Sequence, residues 1–160
     1  MEYRVIKINE LDKANELYRY VIKFCKTWDW NENYPSLKMI EEDIVNHQLV
    51  GLFDNNQLIA VSFIGCRQNP DCVKGWKTNL KKPARWARIC VHPQYQRKGI
   101  GKLFVNLIIK DLKSKGYDGI RIIVAKENFA ALNLYKKFNF NCVAEHFQNS
   151  IEWWCLEKEI

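Results

Sequence analysis

The sequence predicts an α/β fold of the α+β kind, built as one domain over residues 1–160. Three observations carry the prediction. The chain has 160 residues, 48% of them apolar, which is the size and composition of one packed core. Segments of period two are interleaved with segments whose apolar residues recur three and four positions apart. No stretch has the composition of a linker, and no internal repeat is present.

The elements follow in order. Tyr3 to Ile8 alternates as a short strand, and Leu11, Ala14, Tyr18, Val21, Ile22 and Cys25 then recur at helical spacing. Ser36 is placed as the N-cap of a second helix, with Leu37, Ile40 and Ile44 on its apolar face and the acidic cluster Glu41, Glu42 and Asp43 on the other. Gln48 to Phe53 and Gln57 to Gly65 read as a hairpin around Asp54, Asn55 and Asn56, residues that tolerate positive φ. Arg67 to Pro83 has no period and reads as a loop before a strand from Arg85 to Val91, which Pro93 stops. From Ile100 a stripe of Leu103, Phe104, Leu107, Ile108 and Leu112 marks a third helix, with Gly116 just past its end. Ile120 to Ala125 is a buried-type strand, Asn128 to Phe138 an amphipathic helix, and Phe140 to Glu145 and Ile151 to Glu159 two closing strands. The order is β-α-α-β-β-β-α-β-α-β-β.

Charge is distributed unevenly. The net +7 divides into −3 over residues 1–66, +9 over 67–102 and +1 over 103–160. A local excess of this kind attracts phosphates, on nucleic acid or on a small cofactor, while the first third leans toward cations. No apolar run approaches the roughly 18 residues of a membrane span, and the N-terminus lacks the apolar stretch of a signal peptide. A soluble, cytoplasmic protein is expected. Six cysteines (Cys25, Cys66, Cys72, Cys90, Cys142, Cys155) include no CxxC pair and read as reduced core residues, and no metal site is expected.

The richest stretch is Gln96 to Phe104, QRKGIGKLF. A dinucleotide-binding fingerprint would need a third glycine where Phe104 stands, and a P-loop would need glycine at Gln96 and Ser or Thr at Leu103. What survives is the element both share: a strand, a turn whose glycines admit an anion to the backbone N–H groups, and a helix N-terminus behind it.

This stretch, with what flanks it, resembles the GNAT superfamily of acetyl-coenzyme A-dependent N-acetyltransferases. Gln96, Gly99 and Gly101 match the family's phosphate-binding pattern after a strand ending ICVHP (Ile89 to Pro93), and ENFAALNLYKKFNF from Glu127 to Phe140 is similar to its Asn-x-x-Ala-x-x-x-Tyr block. The resemblance implies a central mixed, mostly antiparallel sheet flanked by helices. It also implies acetyl-coenzyme A as cosubstrate: its pantetheine arm bonded to the backbone of Ile89, Cys90 and Val91, and its pyrophosphate on Arg97, Lys98, Gly99, Ile100, Gly101 and Lys102. Asn128 would contact the cofactor, and Tyr135, seven residues on and on the same side of the predicted helix, would protonate the leaving thiolate. Many members place a carboxylate on the fourth or fifth strand to draw a proton from the amine. At the matching positions Ala87, Arg88 and Ile123 none is present, so the base is unassigned. Asn139 replaces the usual glycine after the last helix, a mild change because Asn also adopts the left-handed conformation.

Asp29 and Glu32 are candidate bases, and their interleaving with Trp28, Trp30 and Tyr34 suits the holding of a cationic amine. His47, His92 and His146 are isolated. The expected reaction is transfer of acetyl from acetyl-coenzyme A to a primary amine of a small molecule or peptide, without a covalent step at Cys90. Two rivals stay open: an acyl-coenzyme A-binding protein weak in catalysis, and a nucleic-acid-binding module on the basic segment, against which stands the lack of any recognisable nucleic-acid motif. The closing strand IEWWCLEKEI is compatible with a homodimer seam or with the plain end of a sheet.

Overall fold

The computed structural model describes residues 1–25, 30–65, 76 and 79–160. Seven strands join in the order β1-β2-β3-β4-β5-β7-β6, and the element order matches the sequence expectation with two short 3-10 turns added. Most of the predicted loop, with Cys66 and Cys72, lies outside the described residues, as do Trp28 and Asp29. The chain packs as two units: Met1–Ile64 with Arg88–Leu107, and Gly65–Ala87 with Ile108–Ile160.

The first unit contains β1 (Glu2–Val5), α1 (Leu11–Phe24), α2 (Leu37–Val45), β2 (Leu49–Asp54), β3 (Gln57–Gly65), the end of β4 (Pro83–Val91) and the start of α3 (Ile100–Ser114). β2 pairs antiparallel with β1 (Tyr3↔Leu52) and with β3 (Gly51↔Val61). Asn55 and Asn56 turn the hairpin at φ 46° and 66°, the left-handed pair such a turn needs. Gly51 is required for space, since a Cβ there would lie 2.6 Å from Leu58 Cδ1. The core is filled by Ile6, Tyr18, Ile40, Leu52, Ile59 and Phe104.

Three expectations are corrected in this unit. β1 stops at Val5 instead of running to Ile8, because the Lys7 N–H bonds to Glu10 Oε2 (3.0 Å) and the Glu10 N–H to the Lys7 carbonyl (2.8 Å), closing a turn in place of a ladder. Leu103 is 39% exposed, and Val105 takes its place in the buried stripe of α3. Ser36 does cap α2, accepting from the Met39 N–H, but Asp43 is buried instead of lying on a solvated acidic face.

Glu10 also gives a test at low pH. Arg4 meets its carboxylate with two hydrogen bonds of 2.7 Å; these bonds hold the Glu10 pKa down at about 2, against the opposing effect of burial. A depressed carboxylate contributes stability above its unfolded pKa, and that contribution is lost as pH falls through the folded value. Glu10→Gln is expected to lose less thermal stability than wild type between pH 5 and pH 2. Parallel Tm curves for the two proteins over that window would remove the assignment.

The second unit contains the first part of β4, the end of α3, β5 (Gly119–Ala125), α4 (Phe129–Lys136), β6 (Asn141–Gln148) and β7 (Ile151–Glu159). β4 and β5 run parallel over Pro83↔Gly119 to Arg85↔Arg121, while β7 pairs antiparallel with both β5 and β6. Gly116 at φ 72° and Asn139 at φ 56° end α3 and α4 in the expected left-handed conformation. Of the described cysteines, all free thiols, Cys90 and Cys155 are buried, but Cys25 is half-buried and Cys142 exposed. The expectation of core cysteines therefore fails for Cys25 and Cys142. Cys25 falls just past the end of α1 in extended backbone, outside the helical stripe, and Cys142 lies on an exposed position of β6. No helix among the described residues is long and apolar enough to cross a membrane.

Candidate active site

β4 ends at Val91, and the chain passes through a 3-10 turn (Pro93–Tyr95) before entering α3. Gln96 folds back on the strand, its Nε2 donating to the Val91 carbonyl at 2.9 Å and lying 3.6 Å from Cys25 Sγ. Arg97 then takes φ 58° and Gly99 φ 81°. Left-handed residues set among ordinary ones turn successive backbone N–H groups toward one point, a concavity that receives anions. Behind it stands the N-terminus of a 15-residue helix, whose first N–H groups have no partner within the helix. A Cβ on Gly99 would meet nothing within 4 Å, so glycine is needed there for its dihedral angle and the space above it is open. Arg97, Lys98 and Lys102 are exposed, and among the described residues none of them is in an ion pair. Their charge is available to a ligand.

Upstream, Cys90 is 8% exposed, and burial pushes its thiol pKa far above the usual range, with the neighbouring Cys25 adding to the shift. A thiol held neutral in this way is a poor nucleophile. Arg88, two residues earlier, sits at φ 51°. Its carbonyl accepts from the Tyr18 hydroxyl at 3.1 Å, its guanidinium pairs with Asp43, and it lies over the Phe63 ring at 4.5 Å. Burial works to lower the Arg88 pKa, and the nearby Tyr18, Asp43 and Tyr34 more than offset it, so the guanidinium stays charged. Reading the sequence missed Asp43 as part of this region. A signal was present, since Asp43 falls between Ile40 and Ile44 on the buried stripe of α2.

The aromatic segment before α2 is held by Arg19 of α1, which donates to the carbonyls of Asn31 (3.0 Å), Glu32 (2.8 Å) and Pro35. Trp30 is half-buried with its ring edge-on to Tyr18 (5.5 Å), Tyr34 is half-buried, and the Glu32 residue is exposed. His92 stacks on Tyr20 at 4.7 Å and caps the 3-10 turn, accepting from the Gln94 N–H. Among the described residues no group of His, Cys, Asp or Glu could hold a metal.

In the second unit Tyr135 is 3% exposed, with Trp86 and Phe140 at 5.9 and 5.5 Å between ring centroids. Burial raises its pKa well above the ordinary phenol value, so it keeps its proton throughout the neutral range. Asn128 differs from expectation. It is the N-cap of α4 and not a residue within it, with its Oδ1 accepting from the Ala131 N–H at 3.1 Å. The short polar side chain competes for the helix's first N–H groups, so the seven-residue spacing to Tyr135 does not place the two on one helical face. Ile89 to Val91, Arg97 to Lys102, Trp30, Glu32 and Tyr34 belong to the first unit, and Asn128 and Tyr135 to the second.

The chain is 32% identical over 82 residues to an uncharacterized N-acetyltransferase of Methanocaldococcus jannaschii, covering 50% of this chain and 34% of that protein. It is 36% identical over 53 residues to the ribosomal protein bS18-alanine N-acetyltransferase of Escherichia coli, covering 33% of this chain and 36% of that protein. The chain thus spans about a third of the length of these curated relatives. The fold is shared with the PaiA N-acetyltransferase of Thermoplasma acidophilum, solved in complex with coenzyme A, at a TM-score of 0.77 and 22% identity over 99% of this chain and 98% of that one. The model of the acetyltransferase (GNAT) family matches residues 14–140, most of the chain, and the protein is a member of that family.

Proposed function

We propose that residues 1–160 form one acetyltransferase domain that moves an acetyl group from acetyl-coenzyme A to a primary amine of a small molecule or peptide. The observation that carries this is the pair of left-handed residues, Arg97 and Gly99, among exposed cations at the head of α3. Its donor set suits a pyrophosphate. The left-handed angles of Arg97 and Gly99 favour convergence of backbone N–H groups there, three exposed cations lie beside them in sequence, and among the described residues no carboxylate pairs with those cations.

Acetyl-coenzyme A supplies a thioester already activated for transfer to an amine. Arg97 to Lys102 hold the pyrophosphate, and the backbone of Ile89, Cys90 and Val91 orients the pantetheine arm and steadies the charge that develops on the thioester oxygen. Asn128, with its Oδ1 engaged by Ala131, has its amide N–H groups left for the cofactor. Tyr135 holds the proton that the departing sulfur requires. Trp30, Tyr34 and Glu32, with Trp28 and Asp29 outside the described residues, receive the amine. A peptide amine among the acceptors is supported by the activity named for the Escherichia coli relative, acetylation of an alanine of a ribosomal protein. Free thiols at Cys25, Cys90, Cys142 and Cys155 suit the reducing cytoplasm.

The deciding measurement is release of free thiol from acetyl-coenzyme A against a panel of polyamines, amino acids, aminoglycosides and peptides. Coenzyme A binding without release for any amine would replace this reading with that of a binding protein. Salt-sensitive polynucleotide binding without coenzyme A binding would replace it with the nucleic-acid module. Gly99→Ala, which forces a side chain into φ 81°, is expected to raise KM and Kd for the cofactor about 10-fold with a smaller change in kcat. Unchanged cofactor affinity in a calorimetric titration would show that the loop does not hold it.

A further inference from the structure

Arg88 occupies one of the two fourth-strand positions where a catalytic carboxylate was sought, and it is the only described residue inside a named strand of this chain with a left-handed φ, 51°. A long side chain in that conformation is disfavoured, and it persists only where its surroundings fix it. Here they fix it from four directions within one unit. Tyr18 of α1 donates its hydroxyl to the Arg88 carbonyl at 3.1 Å. Asp43 of α2 pairs with the guanidinium, the two side chains being only 10% and 7% exposed. Phe63 of β3 lies under it at 4.5 Å. Tyr34 bonds to it from the segment before α2. Just past the end of β4 the chain is tied to β3, through the bond from the His92 N–H to the Ile59 carbonyl at 2.8 Å.

A buried Arg–Asp pair is a weak source of stability, because desolvation of both charges offsets their attraction, whereas it can specify one conformation over another. The backbone between the left-handed residue and that bond is Ile89 to Val91. We infer that Arg88, Asp43 and Tyr18 are positioning residues: they hold β4 at this left-handed residue and so fix the course of the backbone from Ile89 to Val91 against the thioester. This rests on the acetyltransferase reading above. It also gives Asp43 a role other than that of the missing base, since its carboxylate is engaged by a guanidinium that stays charged.

The test uses the full chain with Tyr18→Phe, which removes one hydroxyl from a fully buried ring, and Arg88→Gly, which accepts the left-handed angle but loses every side-chain anchor. Two readouts are taken: amide hydrogen exchange of the peptide carrying Ile89 to Val91, with a β7 peptide as control, and steady-state kinetics. In both variants exchange is expected to rise about 10-fold in that peptide and not in β7, with kcat down about 10-fold and KM for acetyl-coenzyme A within about twofold. Unchanged exchange, or faster exchange with wild-type kcat, overturns the proposal. Exchange that rises equally in β7 shows general loosening and overturns it too. If the wild type releases no thiol with any amine, the acetyltransferase reading fails, and the exchange result alone decides whether these residues hold the strand.

Discussion

Tyr135→Phe is expected to lower kcat about 100-fold, the lower end of what a positioned proton donor contributes, while leaving the affinity for coenzyme A unchanged. The substitution is selective because the ring is what packs. Trp86 and Phe140 touch it at 5.9 and 5.5 Å between centroids, contacts that phenylalanine keeps. Burial holds the hydroxyl in its neutral form, so the group carries a transferable proton at every pH where the amine can react. As the proposed donor, its raised pKa would delay proton transfer until the sulfur had gained charge. Accordingly the rate of the wild type should show no loss on the basic side attributable to this residue below about pH 10. A full-rate Tyr135→Phe protein with an unchanged Tm would return Tyr135 to the aromatic core of its unit and leave the sulfur to be protonated by solvent.

The order of elements was legible because each element carries its own signal. Ser36, Gly116 and Asn139 stand where local backbone conformation demands them, and the structure finds Ser36 capping and the other two at left-handed φ. The failures share a cause, which is that the deciding partner is distant in sequence or of the wrong chemical type for the pattern. Asp43 sits on an apolar stripe yet is a carboxylic acid, and Arg88, 45 residues away, pairs with it there. Arg88 itself carries no hint of a left-handed angle, since nothing local favours one for a long side chain. Asn128 was within one residue of its true place, but a cap and a first helical residue differ in where the side chain points. The glycine stretch predicts a turn into a helix, and the structure has one; the left-handed angle of Arg97 has no signal in the sequence, because arginine rarely adopts one.

Arg121→Met is expected to lower the stability of the protein by about 3 kcal/mol, most of which a second substitution, Glu157→Leu, should restore. Arg121 and Glu157 face each other across the β5–β7 ladder, joined by a 2.7 Å bond from Nε to Oε1, and the glutamate residue is 1% exposed. The guanidinium also lies 5.1 Å over the Trp76 ring. Removing the cation takes from a carboxylate out of reach of water the charge that sits directly opposite it, which costs more than the intact pair contributes. Removing both charges leaves two apolar side chains of similar volume in a cross-strand pair, close to neutral. The consequence reaches β4, because Arg121 is also in register with Arg85 on the short parallel ladder that ties β4 to β5. Urea midpoints for the two single variants and the double variant give the coupling directly. A double variant no more stable than Arg121→Met would mean that Glu157 depends on partners other than Arg121, and that the ladder pair is not what justifies its burial.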